Sequence, residues 1–214
     1  MDIHPHVSMF ARLPACLMEC IMLYLPTQQP YWHRFAGFDP GSHNLGAAIV
    51  DVNFVTSEVY VADTNTFVAE KYIQLHQRHD LMMYGDRQGR LLSVDEFVYD
   101  YLCEHQPDVI ASEGPFLHMS VDAYATLIEC VASIRNATRR FTNDIPLITY
   151  QPRNVKSAVN AKGTEKSDMY DAVLAYPNIS FAPHVHYTKL TEHSIDAIAV
   201  CITAALEWGF KPKP

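Results

Sequence analysis

The stretch Phe35–Asp51, FAGFDPGSHNLGAAIVD, constrains this chain more than any other. A short apolar run ends in one acidic residue, Pro-Gly-Ser follows, and a second apolar run begins. Runs of this kind read as strands, and so short a connection makes them a hairpin. Asp39 then leaves the end of a buried strand and points into a tight turn. A carboxylate costs several kcal/mol there unless it is paired or binds a metal. The same placement recurs at Glu113, after DVIAS, and at Asp196, inside SIDAIAVCITAAL. Each acid alone has an ordinary reading: a turn Asp, a strand-end Glu, a first-turn helix Asp. Three of them where a fold favours apolar residues suggest a divalent-metal site.

The rest of the pattern supplies a frame. Residues 34–38, 46–52 and 57–63 read as three antiparallel strands, and 64–92 as a polar loop. Residues 93–105 have helical periodicity, with Ser93 and Glu96 spaced as a capping box. A strand follows at 108–112, a long helix over about 120–141 and another strand at 145–150. Pro152 opens a helix to 159, Thr164 caps one reaching about 175, and a last helix spans about 192–208. Strands and helices in this order predict an α/β fold, a mixed sheet flanked by helices, with parallel crossover connections from the fourth strand on.

At 214 residues, residues 34–214 suit one domain of ordinary size, preceded by an extension of unknown role, 1–33. Hydrophobic residues are 49% and charged residues 19%, which excludes a disordered chain. In the extension, Arg12, Pro14 and Glu19 break the apolar run, so it predicts no membrane span, and MDIHPH lacks the basic start of a signal peptide. Cys16 and Cys20 lie one helical turn apart, with His4 and His6 upstream, but lack the fixed spacing of a zinc finger. Two buried thiols are the simpler reading. Five cysteines, an odd number, fit reduced thiols in a cytosol-like compartment.

His193 and Asp196 are three apart and share a helix face. Three carboxylates and an imidazole can hold two Mg²⁺ or Mn²⁺ ions, and such a pair activates a water and stabilises the leaving oxygen of a phosphodiester. A net charge of −8 gives the whole molecule no pull toward nucleic acid. Between Arg135 and Lys166, however, seven basic residues face only Asp144 and Glu165, a local balance of +5. A solvated helix face accounts for Arg135 and is the plain reading of Arg139 and Arg140. Arg153, Lys156, Lys162 and Lys166, in a polar segment after a strand, suit phosphate contacts.

FDPGS, SEGPF and HSIDAIAV, in this order and spacing, resemble the acidic motifs of RuvC-type Holliday junction resolvases over residues 34–208. The resemblance implies an RNase H-like mixed five-stranded sheet with the first three strands antiparallel. It implies a homodimer that cuts four-way DNA junctions, with two Mg²⁺ (or Mn²⁺) ions per active site held by Asp39, Glu113, His193 and Asp196. Many family members carry Asp where this chain has His193, a departure that bears on metal preference. Lys156 and Lys166 match the family's lysine positions, Lys166 with a role at the developing phosphate charge. Phe116 follows Glu113 by three, as an aromatic does in the family, where it stacks on an unpaired base. Arg139, Arg140, Arg153 and Lys162 complete the expected DNA contacts. The expected setting is cytoplasm, bacterial or of a virus-infected host cell, with no membrane.

Two other readings use the same residues. FDPGSHNLGAAIVD also resembles a phosphate-binding strand–turn–strand of the actin/hexokinase-like fold, which calls for a second Gly-rich loop and a second domain; the chain shows neither and has 8 glycines. A non-catalytic DNA-binding scaffold would keep the fold without needing every acid.

Overall fold

The computed structural model describes residues 31–76, 78–116, 120–163 and 166–213. Residue contacts divide the chain into two units, Met1–Trp32 and His33–Pro214. The N-terminal extension up to residue 30, with His4, His6, Cys16 and Cys20, lies outside the described residues, as does the Thr164 cap.

Among the described residues six strands form one sheet: β1 (Trp32–Asp39), β2 (Asn44–Asn53), β3 (Val59–Val68), β4 (Val109–Glu113), β5 (Leu147–Tyr150) and β6 (Ile179–Phe181), in the order β5-β4-β1-β2-β3-β6. β2 and β3 are antiparallel, whereas β4 runs parallel to β1, β5 parallel to β4 and β6 parallel to β3. The helices are α1 (Ala69–His76), α2 (Arg78–His105), α3 (Val121–Phe141), α4 (Pro152–Ala158), α5 (Lys166–Leu174) and α6 (Glu192–Glu207).

This mixed sheet corrects the expected one in three places. A sixth strand, Ile179–Phe181, joins the edge; at three residues it is too short to carry a period-2 signal. β3 runs on to Val68, and residues 69–92, expected as a loop, belong to α1 and the first half of α2. Helical periodicity is hidden there because Gly85 adopts φ 78°, ψ 170° and breaks α2 into two segments. For the same reason Ser93 is not an N-cap. It is buried inside α2, and its hydroxyl donates to the Gly89 carbonyl at 2.8 Å. Pro152 opens α4 as expected, and Ser120 caps α3, accepting from Ala123 N at 3.1 Å.

The sheet separates two apolar cores. One face packs Phe35, Ala48, Val50 and Ala111 against α4, α5 and α6. The other packs Ala36, Phe38, Ile49 and Ile110 against α2 and α3. Side chains alternate along a strand, so Phe35, Gly37 and Asp39 share the α6 face of β1. By the same count Val109, Ala111 and Glu113 share that face of β4. Among the described residues, no helix is long and apolar enough to cross a membrane.

Candidate active site

The register of β1 on β4 pairs Phe38 with Ser112, so the next residues, Asp39 and Glu113, end their strands at the same level. Both face α6. That helix lies almost on the backbone of the sheet, because two glycines clear its path. A side-chain carbon on Gly37 would overlap the Ala197 carbonyl and Cys201 Sγ, and one on Gly46 would overlap the His193 carbonyl. Thr191 caps the helix by accepting from Ser194 N at 3.1 Å. The first turn of α6 is thereby seated over the end of β1, with His193 and Asp196 facing Asp39.

His193 Nδ1 donates to Asp39 Oδ2 at 2.6 Å, with the two side chains only 29% and 15% exposed. A proton held on Nδ1 leaves the Nε2 lone pair of a neutral imidazole available to a ligand. Hydrogen bonding to Asp39 raises the His193 pKa above its ordinary value. Burial raises the Asp39 pKa, partly offset by His193. Glu113 is pushed up to about 8, by burial first and then by the charges of Asp39 and Asp196. Asp196 rises to about 7 through burial and the charge of Asp39. The three carboxyls therefore share one electrostatic environment in which His193 and Lys156 only partly offset burial and mutual repulsion.

Hard carboxylate oxygens beside an imidazole are a donor set suited to a divalent cation, and the repulsion left between the carboxylates is what such an ion relieves. Among the described residues, no three His, Cys, Asp or Glu side chains are grouped so as to hold an ion in this conformation. The fit therefore lies in the chemistry and electrostatic coupling of the donors, with Asp39 held by His193 rather than in a closed ligand shell.

Two residues join this cluster beyond the expected acids. Glu192 Oε1 lies 3.9 Å from His193 Nε2, and its charge raises both Asp39 and Asp196. Its place beside His193 was the available sequence signal. Lys156, read from sequence as a phosphate contact, is exposed on α4 yet lowers the pKa of both Glu113 and Asp196. It borders the acids.

The other expected contacts are distributed unevenly. Phe116 follows β4 and is 52% exposed at the Asp39 end of the sheet. Arg153 and Lys162 are exposed on and after α4, and Lys166 is the first residue of α5. Arg139 and Arg140 sit in the last turn of α3, which runs away from the acids for 21 residues, roughly 30 Å of helix. Arg140 is committed to α2: it pairs with Asp95 and Glu96, and its guanidinium lies 4.2 Å from the Tyr99 ring centroid.

No protein-family model matches the chain. Over 135 residues it is 27% identical to the crossover junction endodeoxyribonuclease RuvC of Paenarthrobacter aurescens, covering 63% of this chain and 64% of that one. Over 173 residues it is 27% identical to RuvC of Stenotrophomonas maltophilia, covering 80% and 87%. In fold it is similar to T. thermophilus RuvC, solved in complex with a Holliday junction substrate, with a TM-score of 0.60 at 18% identity, covering 84% of this chain and 99% of that one. In sequence the chain is similar to RuvC crossover junction endodeoxyribonucleases, and in fold to T. thermophilus RuvC.

Proposed function

We propose that the chain is a structure-selective endodeoxyribonuclease that resolves four-way DNA junctions by hydrolysing phosphodiester bonds. The observation that carries this reading is the His193–Asp39 hydrogen bond, with Glu113 and Asp196 both raised in pKa by burial and by the charge of Asp39. The two RuvC relatives, which bear the name crossover junction endodeoxyribonuclease, support it. We assign the activity to residues 34–214 and its setting to the cytoplasm.

Asp39, Glu113, Asp196 and His193 would hold Mg²⁺ or Mn²⁺, two ions per site. When bound, these supply Lewis-acid activation of water and neutralise charge at the reacting phosphate. Asp39 is oriented by the His193 hydrogen bond. Lys156, beside the acids, draws the phosphate backbone toward a cluster that would otherwise repel it. Lys166, at the start of α5, stabilises developing phosphate charge. Phe116 stacks on an unpaired base at the branch point. Arg153 and Lys162 hold the flanking backbone, with Arg139 as an outlying contact, whereas Arg140 is taken up by Asp95 and Glu96. A two-fold homodimer presents two sites to opposite strands of a symmetric junction.

The test is the Asp39→Asn protein. It should bind a synthetic four-way junction with unchanged affinity and fail to cut it in Mg²⁺. Retained cleavage would falsify the assignment. Sedimentation of the intact chain, free and on a junction, tests the dimer.

A further inference from the structure

We propose that Thr66 is a positioning residue for this reaction: its hydroxyl latches the first turn of α6 to the sheet and so sets His193 and Asp196 against Asp39. The proposal rests on the nuclease reading of the site.

The geometry begins in the sheet. Thr66 on β3 pairs with Gly46 on β2 in the antiparallel register, so it flanks the bare backbone position on which His193 rests. Its Oγ1 lies 2.6 Å from Thr191 Oγ1 and 2.9 Å from Ser194 Oγ. Thr191 Oγ1 in turn donates to Ser194 Oγ at 3.2 Å and accepts from Ser194 N at 3.1 Å. Each hydroxyl has one proton and can accept two. If Thr191 donates to Ser194, Ser194 to Thr66 and Thr66 to Thr191, the ring closes with every proton committed.

The ring does more than cap a helix. Thr191 and Ser194 alone satisfy the N-cap, and Thr66 adds nothing to that task. What Thr66 adds is a fixed bond from α6 to a third strand, 125 residues away in sequence. His193 lies between the two helix members of the ring, and Asp196 follows within the next turn. Ser194 is buried, at 3% exposure, so an apolar replacement of Thr66 would leave its hydroxyl without the sheet-side partner. With glycine at 46, α6 is held over β2 by this latch together with the His193–Asp39 hydrogen bond, the Cys201 thiol contacts with the Phe35 and Ala48 carbonyls and the apolar packing below. Donors for a hard cation tolerate little such play, since orienting partners outside the ligand set control affinity and rate.

Thr66→Val keeps the shape and removes the hydroxyl; Thr66→Ser restores it. Mn²⁺ binding to the full chain without DNA is measured by calorimetry. His193 ring nitrogens are followed by NMR, and junction binding and single-turnover cleavage are measured alongside thermal unfolding. Thr66→Val should bind the junction normally, lose about 10–100-fold in Mn²⁺ affinity and cleavage rate, and shift the His193 resonances; Thr66→Ser should recover most of each. Unchanged Mn²⁺ affinity and His193 resonances in Thr66→Val overturn the proposal. So does a cleavage loss equal to the fraction unfolded. Should Thr66→Val not fold, Ser194→Ala removes the other side of the ring and is judged by the same readouts. If the wild-type chain neither cuts junctions nor binds Mn²⁺, the nuclease reading falls. The His193 resonances of Thr66→Val against wild type then judge the latch alone.

Discussion

His193 Nδ1 lies 2.6 Å from Asp39 Oδ2, joining residues 154 apart in sequence across the first turn of α6 and the end of β1. The bond orients both partners. The imidazole is turned so that Nε2 faces away from Asp39, and the free Asp39 oxygen is aimed by the same contact. A side chain with one nitrogen donor and nothing beyond it can serve only half of this arrangement.

His193→Asn is therefore informative. Its amide can still donate to Asp39, but no Nε2 remains. Single-turnover cleavage should fall by about 10–100-fold while junction affinity stays constant. Wild-type cleavage by this variant would show that Nε2 has no part in the reaction.

Stability of the metal-free protein should fall as pH rises. Glu113 and Asp196 titrate in the folded chain at about 8 and about 7, against roughly 4 for both in the unfolded chain. Across that window the folded state keeps protons that the unfolded state has released, so the unfolded state binds fewer and unfolding becomes easier with rising pH. Thermal midpoints in chelator should decline from pH 5 to pH 8, and Glu113→Gln should flatten the decline. A midpoint that climbs over this range would contradict the electrostatic account.

Gly46→Ala introduces a methyl into the space of the His193 carbonyl. That overlap is with backbone, which cannot rotate away, so α6 must shift. A cost of about 1–3 kcal/mol is expected from denaturant unfolding. Cleavage should fall further than the folded fraction does, because His193 moves with the helix.

Lys156→Gln tests the border between binding and chemistry. Junction affinity should weaken, and the slope of log affinity against log salt should shrink by about 0.9 for the lost phosphate contact. Lys156 also holds down the Glu113 and Asp196 pKa values, so the rising limb of the cleavage pH profile should move to higher pH. An unaltered salt slope would remove Lys156 from the DNA contacts.

Much of this site was legible in the sequence because its members interrupt apolar patterns. Asp39 and Glu113 stand out at the ends of runs that become β1 and β4, and Asp196 stands out on an otherwise apolar helix face. The parallel pairing of β1 with β4 follows from a helical crossover between them. What escaped notice has no such contrast. Thr66 and Ser194 look like ordinary strand and helix residues until β3 and α6 are placed side by side. Glu192 is hidden among first-turn acids. Lys156 could be read as basic but not as a neighbour of Glu113, since that depends on how α4 folds back. The helices over 69–92 were lost because Gly85 and a run of polar residues dilute the periodicity. Arg140 was read by composition alone, and its partners Asp95 and Glu96 lie far away in sequence.

The central position of β1 and β4 has one more consequence. Each is hydrogen-bonded along both edges, with a dry core above and below. Backbone of this kind opens last, near the global unfolding limit. The carboxyls at its tips thus keep their spacing through every smaller fluctuation of the chain. Phe116, Lys156 and Lys162 stand outside the strands and can adjust while the sheet stays shut. Substitution at these outlying positions leaves the spacing of the candidate metal-site carboxyls untouched.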